Sequence, residues 1–140
     1  MNREILFRGK LEYNGKWIYG DLLQYENGDI AIFGDKLSSF GCECTEMSKR
    51  DRVIPDTIGQ YTGLKDKNGN KIFEGDIVII GEKLKTKVVY YDGAFRMQSE
   101  FSPTPTDTTD MGYMMREFSV RVIGNIHDNP ELMKGGSNKT

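Results

Sequence analysis

The stretch that decides the fold is GQYTGLKDKNGNKIFEGDIV, residues 59–78. Short runs of aromatic, β-branched and aliphatic residues alternate here with glycines, and the dipeptide Asn68-Gly69 lies between two such runs. Asn-Gly suits a type I′ turn, because both central residues of that turn take positive φ. We therefore expect a strand over 57–63, a hairpin over 64–73, and a tight turn at 74–76 that leads into a buried strand over 77–80.

The same turn signal recurs three times outside this stretch. The dipeptides are Asn14-Gly15, Asn27-Gly28 and Asp92-Gly93, and strand-forming residues flank each of them. Repeated hairpin signals of this kind are typical of an all-β fold. The 16 glycines of the chain favour strands and turns in the same way.

The first of these dipeptides predicts a register for the N-terminal hairpin. A two-residue loop at Asn14-Gly15 places apolar residues and glycines opposite one another on one face. The expected pairs on that face are Leu11 with Ile18, Gly9 with Gly20, and Phe7 with Leu22. The other face pairs Arg8 with Asp21, Lys10 with Tyr19, and Glu12 with Trp17. A third strand, 30–33, follows the turn at Asn27-Gly28.

The C-terminal part of the chain continues the pattern. A turn at Asp92-Gly93 predicts strands 87–91 and 94–97, with Tyr90 opposite Phe95 and Val88 opposite Met97. We expect an exposed, mobile loop over 98–112, either a strand or a short helix over 113–118, and a strand over 120–126. Asn129-Pro130-Glu131 is typical of a helix start, so a short C-terminal helix through Met133 is expected.

These elements predict an all-β protein with one domain over residues 1–134. We expect an N-terminal β-hairpin sheet (1–50) packed on a small SH3-like barrel (53–134), with a surface connection near 34–52 and a flexible tail over 135–140. Hydrophobic residues make up 37% and charged residues 29% of the chain, which indicates a modest core under a well-solvated surface.

Charge and cysteine content limit the classes of function. A net charge of −2 argues against a protein that binds polyanions over its whole surface. The two thiols, Cys42 and Cys44, are typical of a reduced, intracellular protein. The first residues contain no apolar run of signal-peptide length, and no run approaches a membrane span. We expect a cytoplasmic protein of a bacterial host cell, with no membrane contact.

Familiar metal and cofactor motifs are absent from the sequence. Cys42-x-Cys44 with His127 provides too few ligands for a tetrahedral zinc site. Asp66-x-Asn68-x-Asn70 opens like a calcium loop, but Lys71 and Ile77 stand where that loop needs Gly and Glu. No phosphate-binding glycine loop and no nucleophile motif occurs. We expect no cofactor and no catalytic residue, although a site of scattered carboxylates in an uncharacterised enzyme stays open.

Three blocks of the sequence carry a family resemblance. They read FRGK (7–10) with GKWIYGDL (15–22), GQYTGLKDKNG (59–69) with IFEGDIV (72–78), and VIGNI (122–126) with NPEL (129–132). In this order they resemble the YopX family, and the resemblance covers residues 5–133. It implies a small, mostly β protein encoded by a phage or prophage of bacteria. The family has no established activity, so the resemblance carries over no catalytic residues.

A partner-binding surface is the remaining candidate site. Trp17 and Tyr19 share a hairpin face with charged residues, and they form either an exposed patch or part of a second small core. The residues that we predict for this surface are Trp17, Tyr19, Tyr61, Lys65, Lys67 and Lys71.

Two further functions remain open besides an enzyme. The first is a non-catalytic phage or prophage accessory protein that acts through protein–protein contact with a host or phage protein, or through self-assembly into a homo-oligomer. The second is a nucleic-acid-binding small barrel, by analogy of fold alone. Residues 65–87 contain six lysines and four acidic residues, whereas 98–131 contain two arginines and six acidic residues. Nucleic acid is therefore the less favoured partner.

Overall fold

A computed structural model of the chain describes residues 3–34, 52–101 and 109–133. The chain divides into two compact units, Met1–Tyr61 and Thr62–Thr140. The boundary falls inside one strand, Gly59–Lys65. The predicted surface connection (34–52), the tail (135–140) and the middle of the 98–112 loop lie largely outside the described residues.

The first unit is built from antiparallel strands in the order β3-β2-β1-β4. Their bounds are β1 Phe7–Lys10, β2 Trp17–Gln24, β3 Ile30–Phe33 and β4 Gly59–Lys65, with a 3-10 turn at Pro55–Thr57 before β4. Only the start of β4 takes part, because Gly59 and Gln60 pair with Arg8 and Phe7.

One face of the β1–β2 ladder covers an apolar core, as the sequence predicts. A Cβ built on Gly9 would lie 3.2 Å from the side chain of Ile32 and 3.3 Å from that of Val53. Ile32 of β3, on the same face, is fully buried. Gly9 thus leaves room for aliphatic side chains that approach the ladder closely.

The register of the first hairpin differs from the prediction by two residues. Gly9 lies opposite Ile18, and Phe7 lies opposite Gly20. The N–H of Leu11 donates to the Lys16 carbonyl at 2.9 Å, so the loop spans residues 12–15 instead of Asn14-Gly15 alone. A shift of two residues keeps every side chain on its predicted face but changes its cross-strand partner. The predicted pair of Arg8 with Asp21 is therefore wrong.

The turn types also differ from the prediction at most of the four dipeptides. Asp92 is the single non-glycine residue with positive φ in the described ranges, so a type I′ turn occurs at Asp92-Gly93 and not at the other three. The Asn27-Gly28 and Asn68-Gly69 loops close over three residues. In the Asn68-Gly69 loop, the N–H of Gly69 donates to the Asp66 carbonyl at 3.0 Å. The N–H of Asp66 donates to the Asn70 carbonyl at 2.8 Å. That geometry is a type I turn followed by a left-handed glycine.

Among the described residues, the second unit contains the end of β4, a second group of strands and one α-helix. The bounds are β5 Lys71–Phe73, β6 Asp76–Ile80, β7 Leu84–Tyr91, β8 Ala94–Ser99, β9 Thr109–Asp110, α1 Met111–Glu117 and β10 Val120–Asn125. The end of β4 pairs with β5, and the other strands pair in the order β10-β6-β7-β8-β9. The predicted pairs Tyr90–Phe95 and Val88–Met97 are confirmed.

The core of the second unit joins this sheet to the helix. Its buried members are Ile72, Val78, Ile80, Val88, Met97, Met111 and Val120. Met111, which is 2% exposed, begins α1. The prediction of a loop that extends to residue 112 is therefore wrong at its end, because methionines of this segment pack into the core.

The predicted all-β class is confirmed, but the predicted barrel is not. Among the described residues, the sheet of the second unit is open, with β10 at one edge and the short β9 at the other. The predicted C-terminal helix is a single 3-10 turn, Pro130–Met133.

The predicted subdomain boundary near residue 52 differs from the division of the structure. Val53 bridges to Leu11, and the N–H of Ile54 donates to the Lys10 carbonyl at 2.8 Å. Residues 52–61 therefore belong to the first unit. The assignment of 1–134 to one domain stays a prediction.

Candidate functional site

The predicted site residues lie in both units of the chain. Trp17, Tyr19 and Tyr61 belong to the first unit, and Lys65, Lys67 and Lys71 to the second. The two groups therefore form two candidate surfaces, one in each unit.

Four residues of β1 and β2 share the face of the ladder opposite to that of Gly9. Arg8 lies opposite Tyr19, and Lys10 lies opposite Trp17. Alternation along each strand puts these four side chains on one side of the ladder. We name them, Arg8, Lys10, Trp17 and Tyr19, the aromatic–cation face.

Two cations lie against the indole ring of Trp17. The guanidinium carbon of Arg8 is 4.6 Å and the Nζ of Lys10 is 5.5 Å from the ring centroid. A cation within about 6 Å of an indole face is attracted by the ring quadrupole, by about 0.5–2 kcal/mol. Arg8 is only 6% exposed, so Trp17 holds a nearly buried guanidinium in place.

The exposed aromatic of this face is Tyr19. Its side chain is 46% exposed, while Trp17 is half-buried. A flat ring with a hydroxyl group at the surface, beside a cation, can pack against a partner and also form hydrogen bonds with it.

Tyr61 does not contribute to an exposed surface. It is 6% exposed, in the buried half of the alternating pattern of β4. Its side chain is therefore not available at the surface to a partner.

The three predicted lysines flank one turn of the second unit. Lys65 ends β4, Lys67 lies in the turn and Lys71 begins β5, and all three are exposed. The residue at the centre of this turn is the buried Asp66, which is 6% exposed.

The carboxylate of Asp66 is the hydrogen-bond hub of the turn. Its Oδ1 accepts the N–H groups of Asn68 at 2.9 Å and of Asn70 at 2.8 Å. Its Oδ2 accepts the N–H of Val122 in β10 at 2.9 Å and the side-chain amide of Asn70 at 3.2 Å. The turn is thereby fastened to the edge strand β10.

These bonds set the protonation of Asp66. Burial alone would raise the pKa of its carboxyl group, but the N–H groups of Val122, Asn70 and Asn68 and the amide of Asn70 outweigh it. The pKa of Asp66 therefore lies below its ordinary value, and the group is charged at neutral pH.

The candidate metal ligands have other surroundings. Cys42 and Cys44 lie outside the described residues, and His127 is half-buried with its backbone N–H on Asn125 Oδ1 at 2.9 Å. Both carboxylate oxygens of Asp66 accept hydrogen bonds from N–H groups. Within residues 3–34, 52–101 and 109–133, no three His, Cys, Asp or Glu side chains come together in a way that could hold a metal ion.

Sequence reasoning missed Arg8 and Lys10 as members of the site. The predicted register pairs Arg8 with Asp21 and therefore does not predict the contact of Arg8 with Trp17. The signal available in the sequence is the spacing itself, since residues 8 and 10 alternate onto the face of residues 17 and 19 in any register of the same parity.

Comparisons with known proteins agree with this description of the fold. The family model described as YopX protein matches residues 6–134. The crystal structure of protein EF1440 from Enterococcus faecalis is similar over 94% of this chain and 99% of that chain, with 26% sequence identity and a TM-score of 0.56. Comparison with the curated proteins gave no match. Among the described residues, no helix is long and apolar enough to cross a membrane.

Proposed function

This chain belongs to the YopX family, and we propose that it is a non-catalytic phage or prophage protein that binds an acidic protein partner through the aromatic–cation face. The proposal places it in the cytoplasm of the bacterial host. The partner is a host or phage protein whose surface presents carboxylates.

The observation that carries this proposal is the composition of the face. Trp, Tyr and Arg are the residue types that dominate the binding energy of protein–protein interfaces. Here Trp17 and Tyr19 stand beside two cations, and the Arg8 guanidinium is already immobilised against Trp17 at 4.6 Å. A preformed arrangement loses little side-chain entropy when a partner binds.

Lys10 and Tyr19 are the groups of this face that a partner can reach, because Arg8 is only 6% exposed. A carboxylate on a partner would complement the charge of Lys10 and accept a hydrogen bond from the Tyr19 hydroxyl.

Two hydrogen bonds to the edge strand β10 oppose self-assembly through that edge. An open edge invites pairing with another chain through its free N–H and C=O groups. On β10, the Val120 carbonyl accepts the N–H of Lys67 at 3.0 Å, and the N–H of Val122 donates to Asp66. The Asp66 turn therefore already occupies these edge groups.

The test is affinity capture from a lysate of the source bacterium with four forms of the full chain, the wild type and three variants. The variants are Tyr19→Ala and Lys10→Glu, and the control is Tyr13→Ala, an exposed tyrosine in the adjoining loop. We expect wild type and the control to retain the same acidic protein, and both face variants to lose it by about tenfold or more.

Two results would overturn the proposal. One is a captured protein that Tyr19→Ala and Lys10→Glu retain as well as wild type does. The other is a strict preference for nucleic acid, seen as retention that nuclease treatment abolishes and that weakens steeply with salt. The latter would support the nucleic-acid alternative.

A further inference from the structure

A second surface, independent of the aromatic–cation face, is an open cleft in the second unit. It has a volume of about 450 Å³, and Lys67, Gly81, Glu82, Ser119 and Arg121 line it. Clefts of this size fall within the range that holds small ligands, roughly 300–1,000 Å³. All five residues belong to the second unit.

Backbone hydrogen bonds hold both walls of the cleft to the start of β10. The N–H of Lys67 donates to the Val120 carbonyl at 3.0 Å, and the N–H of Gly81 donates to the Ser119 carbonyl at 2.7 Å. The turns that carry Lys67 and Glu82 are therefore fixed on either side of the same strand. Their side chains face the cleft from anchored backbone.

Strand alternation exposes Arg121, the second cation of the cleft. Val120 is 2% exposed and packs in the core, so its neighbour Arg121 is directed to the opposite side and is exposed. Val122, on the other side of Arg121, is held by the carboxylate of Asp66. The backbone on both sides of Arg121 is thus held by hydrogen bonds to the Asp66 turn.

The two cations of the cleft have no salt bridge to any described residue. Two other arginines of the described residues are engaged: Arg52 pairs with Asp29 at 3.1 Å, and the Nε of Arg96 donates to the Tyr91 carbonyl at 2.9 Å. Glu82, in the same cleft, likewise forms no salt bridge within the described ranges. The cleft therefore presents two cations without a salt bridge to a described residue, Lys67 and Arg121, beside one carboxylate, Glu82.

We propose that this cleft binds the phosphate group of a nucleotide-like phosphate ester. Lys67 and Arg121 contact the phosphate oxygens, and the Ser119 hydroxyl donates a third hydrogen bond. Glu82 accepts a hydrogen bond from a hydroxyl or amino group of the same ligand. The proposal does not depend on the protein partner of the first unit.

The donor set favours phosphate over carboxylate. A lysine is a point charge, an arginine is a planar fork, and a serine hydroxyl rotates, so together they approach an oxyanion from several directions. A tetrahedral phosphate presents oxygens in those directions, whereas the two oxygens of a carboxylate lie in one plane. Glu82 repels an anion without donors and so favours an ester that carries them.

The experiment is an NMR titration of the full chain, with backbone amide shifts as the readout. The probes are adenosine monophosphate, inorganic phosphate, a short oligothymidylate and glutarate. We expect adenosine monophosphate to shift the amides at residues 67, 81–82 and 119–121 at lower concentration than inorganic phosphate does, because its nucleoside hydroxyl and amino groups can donate to Glu82 while its phosphate contacts the cations. Saturation by oligothymidylate at the same amides would identify nucleic acid as the source of the phosphate.

Matched variants test which cations act. Lys67→Ala and Arg121→Gln should each weaken adenosine monophosphate binding about tenfold or more, since each removes a charge-assisted hydrogen bond. The controls Lys65→Ala and Arg116→Gln remove exposed cations of the same unit that do not line the cleft, and they should leave the affinity within about twofold. Glu82→Gln should bring the affinities for the ester and for inorganic phosphate closer together.

Three outcomes would overturn the proposal. The first is the absence of shifts at the cleft with any phosphate probe at millimolar concentration. The second is glutarate binding as tightly as adenosine monophosphate. The third is an equal loss of affinity in Lys65→Ala and Lys67→Ala, which would show binding to general positive charge.

Discussion

The carboxylate of Asp66 accepts a hydrogen bond from the backbone N–H of Val122, 2.9 Å away, and so joins two residues that are 56 positions apart in the chain. The same carboxylate also accepts the backbone N–H groups of Asn68 and Asn70 in the turn. A neutral amide has one acceptor oxygen where the carboxylate has two. We predict that Asp66→Asn lowers the free energy of unfolding by about 1–3 kcal/mol, measured by urea denaturation.

The control for this change is Asp92→Asn. Asp92 is exposed with φ 53°, a conformation that asparagine tolerates, and it should change stability by less than about 0.5 kcal/mol. An equal effect of the two substitutions would contradict the role of Asp66 as the hub of the turn.

Acidification should remove the contribution of Asp66. Its pKa is lower in the folded chain than the ordinary value of 3.8, so the stabilisation is complete above that value and is lost as the pH falls through the folded pKa. The stability difference between wild type and Asp66→Asn should therefore be largest near neutral pH and shrink below about pH 4. Urea unfolding across this range checks it, and a difference that is constant with pH would contradict it.

Gly20 is required where β3 approaches β2. A Cβ on Gly20 would overlap the carbonyl oxygen of Phe33, whereas a Cβ on Gly69 would meet nothing within 4 Å. Gly69→Ala should cost about 1–2 kcal/mol for its left-handed backbone alone. Gly20→Ala should cost about 3 kcal/mol or more, because the strands must separate. Thermal unfolding of both variants tests the order, and equal costs would refute the close approach.

The contact of Arg8 with Trp17 should appear as a coupling energy. A double-mutant cycle of Arg8→Met and Trp17→Leu is expected to give about 0.5–2 kcal/mol from urea denaturation. The matching cycle with Lys10→Met should give less, because its Nζ lies farther from the ring, at 5.5 Å. A coupling near zero for Arg8 would show that the guanidinium and the indole are merely neighbours.

Local signals in the sequence predicted much of the fold. Alternation and turn dipeptides located the strands, and at Asp92-Gly93 they also predicted the turn type and the pairs Tyr90–Phe95 and Val88–Met97. Here the strand twist and the dipeptide agree, since Asp92 itself takes positive φ.

The dipeptide alone does not determine the turn elsewhere. At Asn68-Gly69 the carboxylate of Asp66 binds the N–H groups of Asn68 and Asn70, which favours a three-residue loop. At Asn14-Gly15, the Oδ1 of Asn14 accepts the N–H of Lys16 at 2.9 Å, and a longer loop results. Side-chain hydrogen bonds within the loop thus change the register that the dipeptide predicts.

The candidate sites depend on contacts that a single sequence does not reveal. Trp17 and Tyr19 were predicted from residue type, but the cations beside Trp17 depend on the register. Arg121 and Lys67 line one cleft only because β10 pairs with β6 and the Asp66 turn bonds to β10 from the other side. Long-range pairing of this kind leaves no local pattern.

The most direct measurement of the central claim is hydrogen exchange by mass spectrometry on the full chain, free and in complex with its captured partner. The proposed function predicts slower exchange in peptides that cover β1 and β2, with no change in peptides that cover β8. The same protection should be absent when Tyr19→Ala is mixed with the partner at equal concentration. Protection confined to the second unit, with β1 and β2 unchanged, would contradict the claim that the aromatic–cation face binds the partner.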